Sequence, residues 1–227
     1  MCSVVRPFMF LRKEIQIPTK VIRDLREVSN LSCKLKWEYA GNVKTYRTIN
    51  KDSIVFSKPT YVTSKDRASV DVDTIIGVWP SLVSYHTHPC VSIPSKIDYD
   101  TSNIFVTLPS KCDFDSYIRG YPNMQVNIIC DAHGYYIIDL ISAAERNQFP
   151  QLHGVNMIMN DFRQKEEIKQ LSFSEEGLEY FDTTLNRWKE IVNTDLNQVL
   201  NEKLGITVRY YGYEDEAPVV SLDLDSI

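Results

Sequence analysis

No run of about 20 apolar residues occurs anywhere in the chain, so no segment has the composition of a membrane-spanning helix. There is no C-x-x-C pair among the five cysteines (Cys2, Cys33, Cys90, Cys112, Cys130), and their odd number argues against a disulfide framework. No charged-then-apolar leader opens the sequence. These absences predict a soluble protein of a reducing, intracellular and cytoplasmic setting. Basic residues form no stripe or cluster, and the formal net charge is -5, so DNA and RNA are not expected partners. A glycine-rich phosphate loop and a defensible Ser-His-Asp order are both missing, which sets aside nucleotide hydrolysis and serine-type acyl transfer.

What remains is a chain of 227 residues with 43% hydrophobic content, enough for one domain of ordinary size with a sizeable core. Pro18-Thr19 marks a helix start, and Val21, Ile22, Leu25, Val28 and Ser32 recur at the spacing of one helical face, fading before Trp37. Strand-like segments follow over Trp37 to Thr48, Ser53 to Ser57, Thr60 to Thr63 and Thr74 to Trp79. Later, Gln125 to Cys130 and Tyr135 to Ile141 flank Asp131-Ala132-His133-Gly134 and read as a hairpin. From Glu175 to Leu204 an apolar stripe (Leu178, Phe181, Leu185, Trp188, Val192, Val199, Leu204) predicts one long helix, capped by Ser174 and stopped by Gly205. Its stripe suits packing on the protein's own sheet, or a partner-binding or dimerising face. Ile206 to Tyr213 is then a candidate strand.

The chemistry concentrates at His86-Thr87-His88-Pro89. Residues i and i+2 of a strand face the same way, so both imidazoles can reach one cation at the roughly 2.0–2.1 Å that zinc prefers. Two surface or core histidines are the plainer reading. Two copies of Pro-Ser-Lys-x-Asp follow, ending at Asp98 and at Asp113. After the second, Ser110 can cap a helix whose Phe114, Tyr117 and Ile118 share a face, closed by Gly120-Tyr121-Pro122. After the first, Asn103 to Leu108 looks extended. Either motif can equally be an ordinary cap or turn.

The combination of an upstream Glu (Glu38 in Trp37-Glu38-Tyr39-Ala40-Gly41), H-T-H-P and S-x-x-D resembles the JAMM (MPN+) family of zinc metalloproteases over about Lys20 to Ile141. The long loop before the second S-x-x-D also looks like members encoded by large DNA viruses, whose setting would be a host cytoplasm. The resemblance implies an α+β fold, a curved mixed β-sheet flanked by helices, with an added C-terminal helix and strand. It implies a catalytic domain over residues 1–145 with residues 146–227 packed on it as a helical extension. One catalytic zinc ion would take His86, His88 and an aspartate. Asp113 is preferred because the order Ser-cap, aspartate, short helix, strand is the family's; the alternative is Asp98, with Ser95 in place of Ser110. Glu38 becomes the general base, with a solvated strand-edge acid as its ordinary role, and Ser110 the oxyanion donor. The implied reaction is hydrolysis of an isopeptide or peptide bond after ubiquitin or a ubiquitin-like modifier. A catalytically silent scaffold and a zinc hydrolase of small conjugates are the rival readings.

Overall fold

The computed structural model describes residues 12–48, 53–66, 82–90, 102–175 and 177–223. The elements begin with β1 (Arg12–Gln16), α1 (Thr19–Leu35), β2 (Ala40–Val43), β3 (Thr45–Arg47), β4 (Ile54–Phe56), β5 (Thr60–Val62) and β6 (Val83–Thr87). The middle comprises β7 (Asn103–Val106), α2 (Lys111–Gly120), β8 (Val126–Cys130), β9 (Gly134–Asp139), α3 (Ile141–Glu145), α4 (Leu152–Gln164) and α5 (Glu166–Leu171). A hairpin of β10 (Ser172–Glu175) and β11 (Leu178–Thr184) leads into α6 (Leu185–Glu190), a π-helical stretch (Ile191–Leu196) and α7 (Asn197–Leu204). β12 (Thr207–Gly212) and β13 (Val219–Asp223) complete the order.

A six-stranded sheet in the order β12-β9-β8-β6-β2-β5 organises the rest. β6 and β8 run parallel, and their neighbours are antiparallel, so the sheet is mixed. Both its faces are covered. On one, Val21, Ile22, Leu25 and Val28 of α1 pack on Val83, Tyr85, Ile128 and Ile137, joined by Val220 and Leu222 of β13. On the other, Phe114 and Tyr117 of α2, Val155 and Phe162 of α4, and Trp188, Val192, Leu196 and Leu200 cover Ile129, Tyr136, Ile138 and Val208. β8 is buried at every position, as a strand covered on both sides must be. The fold is α+β with helices on both sides of a mixed sheet, as the sequence predicts.

α1 buries the predicted face and ends at Lys36, whose φ of 59° is left-handed. The expected hairpin forms between β8 and β9, but its second strand stops at Asp139 because Ile141 already starts α3. The predicted strand Thr74 to Trp79 lies outside the described residues.

The long helix predicted from Glu175 is corrected by the structure. Leu178 and Phe181 belong to β11, which pairs with β7 (Phe181 opposite Val106), and the helix begins at Leu185. Its cap is Thr184, whose Oγ1 accepts from the Arg187 N–H at 3.3 Å. The physical reason is the pairing with β7, which sets Tyr180 and Phe181 on opposite faces of β11, where Tyr180 stacks on Phe173 and Phe181 on Trp188. Gly177, at φ +82°, lies in the connection that reverses the chain ahead of β11. Gly205 does stop the helix, at φ +67° with Ala143 N only 2.5 Å from where a Cβ would be.

β12 would be an open edge, and the helix beside it closes that edge with asparagines. Asn193 Oδ1 accepts from Tyr210 N at 2.6 Å and its Nδ2 donates to Tyr210 O at 3.0 Å. One turn on, Asn197 Oδ1 accepts from Val208 N at 3.0 Å. Side-chain amides at four-residue spacing thus stand in for a neighbouring strand.

Candidate metal centre

His86 lies on β6, and His88 follows it by two residues, its backbone N–H donating to Cys130 O at 2.7 Å. The pairing of β2 with β6 sets Ala40 opposite His86. It continues one step past the strands: Thr87 N donates to Tyr39 O at 2.8 Å, and Tyr39 N donates to Thr87 Oγ1 at 3.0 Å. Carried one residue further, this register sets Glu38 opposite His88, on the face that carries His86. Thr87 points the other way, buried, and donates to Ser32 Oγ of α1 at 2.8 Å, which stops the segment from rotating.

The third group comes from the N-terminus of α2. Ser110 caps the helix: its Oγ accepts from Asp113 N at 3.2 Å, and its own N–H donates to Asp113 Oδ2 at 2.5 Å. This reciprocal box fixes the carboxylate. Asp113 Oδ1 then lies 3.1 Å from His86 Nε2, and Oδ2 lies 3.6 Å from His88 Nε2. The two Nε2 atoms are 3.2 Å apart. The side chains of His86, His88 and Asp113 are only 18, 12 and 13% exposed.

These distances permit a direct test of fit. A tetrahedral zinc about 2.0–2.1 Å from each donor sets those donors about 3.3 Å apart. The two Nε2 atoms at 3.2 Å and Asp113 Oδ1 at 3.1 Å from His86 Nε2 match that spacing, one ligand atom from each of the three residues lies within 4.8 Å of the others, and two imidazoles with a carboxylate are zinc's donor chemistry. Among the described residues, this is the group of three or more His, Cys, Asp or Glu side chains that could hold a metal ion.

The electrostatics follow from the same contacts. Burial works against the Asp113 carboxylate, but His86 and His88 outweigh it and hold the group well below the ordinary carboxylate range. Glu38 moves the opposite way, to about 7, chiefly through burial; His88 favours its charge, while Asp113 and Asp66 oppose it. Its backbone is pinned, N–H donating to Asp66 O at 2.8 Å and C=O accepting from Thr63 Oγ1 at 2.6 Å.

Of the residues singled out in the sequence, His86, His88 and Asp113 are brought together, with Ser110 orienting Asp113. Ser95 and Asp98 lie outside the described residues. His153 is an exposed residue of α4, where Gly154 lets Leu204 approach closely. His133 is half-buried in the hairpin turn. Cys90 lies beside Cys33, its N–H donating to Cys33 Sγ at 3.2 Å, and its C=O accepts from Lys36 Nζ at 2.6 Å. Sequence reasoning misses Thr107, whose Oγ1 is 2.6 Å from His88 Nδ1. No motif marks it, because it sits between β7 and the cap of α2 and meets the histidine only in the folded chain.

No protein-family model, curated protein or solved structure matches this chain. Among the described residues, no helix is long and apolar enough to cross a membrane.

Proposed function

We propose that the protein is a zinc-dependent isopeptidase or peptidase of the JAMM type, cleaving the bond that follows ubiquitin or a ubiquitin-like modifier. The observation that carries this reading is the convergence of one ligand atom each from His86, His88 and Asp113, with Glu38 in register beside His88. Zinc held by these three residues would polarise the scissile carbonyl and lower the pKa of a water toward ~7.

The chain's own groups do the rest. His86 and His88 present neutral Nε2 atoms, and the Ser110 N–H holds one Asp113 oxygen so that the other faces His86. Glu38 takes the proton as the water oxygen bonds to the carbonyl carbon. It returns that proton to the nitrogen as the C–N bond breaks, so an amine and a carboxyl group leave. A carboxyl poised near 7 suits both transfers. Ser110 is exposed and its Oγ accepts the cap bond, which leaves its hydroxyl hydrogen to donate to the developing oxyanion. Among the described residues β5 is the outer strand next to β2, an edge to which an extended modifier tail can add.

The test combines zinc content with cleavage of ubiquitin chains, set against small amide substrates. Expected are one zinc per chain, cleavage of chains in preference to small amides, and loss of turnover in Glu38→Ala. Purified protein with no stoichiometric zinc, or Glu38→Ala with unchanged turnover, would overturn the reading.

A further inference from the structure

We infer that Thr107 positions His88, and that Tyr136 and Trp188 hold Thr107 in place, so that the C-terminal third of the chain supports the metal centre through a continuous hydrogen-bond chain. This rests on the reading of His86, His88 and Asp113 as ligands.

The chemistry of imidazole supplies the first step. A neutral ring that offers Nε2 to a cation must carry its hydrogen on Nδ1. His88 Nδ1 is 2.6 Å from Thr107 Oγ1, so in that tautomer Nδ1–H donates to the threonine hydroxyl. The bond selects the tautomer and fixes the rotation of the ring about its χ angles, the two properties a ligating histidine must have settled in advance.

A hydroxyl can do this only if it is itself held still. Thr107 lies just past β7, and two contacts fix it. Its carbonyl accepts from Tyr136 Oη at 2.6 Å, and Tyr136 Oη accepts from Trp188 Nε1 at 2.8 Å. Tyr136 on β9 and Trp188 on α6 are fully buried, so water does not compete for these bonds. The residue before Thr107, Val106, is opposite Phe181 of β11, and Phe181 stacks on Trp188 with ring centroids 5.1 Å apart. The same segment of the C-terminal third therefore fixes Thr107 through its backbone and through its neighbour.

The experiment measures zinc affinity by chelator competition, and the His88 tautomer by ¹⁵N shifts of the ring, in wild type, Thr107→Val and Thr107→Ser. Valine keeps the branched shape and removes the hydroxyl, whereas serine keeps the hydroxyl. The expected outcome is a loss of about 10–100-fold in zinc affinity for Thr107→Val, near wild-type affinity for Thr107→Ser, and Nδ1–H in the zinc-loaded wild type. Equal affinities for valine and wild type, or equal losses for valine and serine, overturn the inference alone and leave the metal site standing. A wild type that binds no zinc overturns both. Should the valine variant fail to fold, Tyr136→Phe decides, since it removes the hydroxyl that holds the Thr107 carbonyl and unchanged zinc affinity in that variant sinks the proposal.

Discussion

Glu38 gives the most demanding test of the site's electrostatics, because its burial is a cost that pH can switch on and off. In the metal-free protein its carboxyl ionises near 7, displaced upward from 4.5 mainly by burial. The native state therefore binds more protons than the unfolded state between those values, and stability falls as pH rises through that window. At about 1.4 kcal/mol per pH unit the full displacement amounts to about 3 kcal/mol, which screening at a partly exposed carboxyl reduces to roughly 2. Glu38→Gln removes the charge and keeps the shape, so this contribution vanishes. Urea unfolding in the presence of a chelator, from pH 4 to pH 8, should show Glu38→Gln gaining about 2 kcal/mol on the wild type across the window, with most of the change between pH 5 and pH 7. The Asp113 contribution has the opposite sign and is present in both proteins, so the comparison isolates Glu38 together with its repulsion from Asp113. Parallel stability curves would show that Glu38 is solvated, and would remove it from beside His88.

Two further outcomes follow from named contacts. Asp113→Asn leaves the cap geometry nearly intact but removes the anionic donor, so zinc affinity measured by competition should drop further than in Asp98→Asn; the reverse order would move the ligand to the earlier motif. Asn193→Ala strips both amide bonds from Tyr210 and leaves its buried N–H without that acceptor, which should lower unfolding stability by about 1–3 kcal/mol with no change in zinc affinity.

The parts of the fold legible in the sequence are those set by local chemistry. α1 declares itself through Pro18 and a three-and-four spacing, the β8–β9 hairpin through its turn, and α2 through a serine three residues ahead of an aspartate. His86 and His88 are readable for the same reason, since a period of two is a property of any strand. What escapes is what two distant segments decide together. β1 pairs with β13, joining Arg12 to Asp223 across nearly the whole chain, and neither strand has a pattern of its own strong enough to announce it. β11 carries Leu178 and Phe181 seven and four residues ahead of Leu185, a spacing that imitates a helix until β7 supplies the pairing partner. Thr107 has no signature at all, because its role needs β6, β9 and α6 in place.

The same non-local pairing bears on whether residues 146–227 form a unit of their own. β12 hydrogen-bonds along the whole of β9, and β11 pairs with β7, so strands from this third lie in two sheets with strands from the first two. Phe181, Trp188, Ile191, Val192, Leu196 and Leu200 are each no more than 1% exposed, and they share one core with Ile104, Val106, Ile129, Tyr136 and Ile138 of the earlier segments. At about 1.5–3 kcal/mol for each buried side chain, their packing is worth on the order of 10 kcal/mol, comparable with the entire stability of an ordinary domain. With a core and two sheets shared between them, the two parts are expected to melt together. Tryptophan fluorescence of a variant in which Trp37 and Trp79 are replaced by Phe, so that Trp188 alone reports from the C-terminal third, and far-ultraviolet dichroism, which sums over all elements, should give coincident urea transitions. A fluorescence transition displaced from the dichroism curve would mean that the third folds by itself, and would break the chain from Trp188 to His88 at its first link.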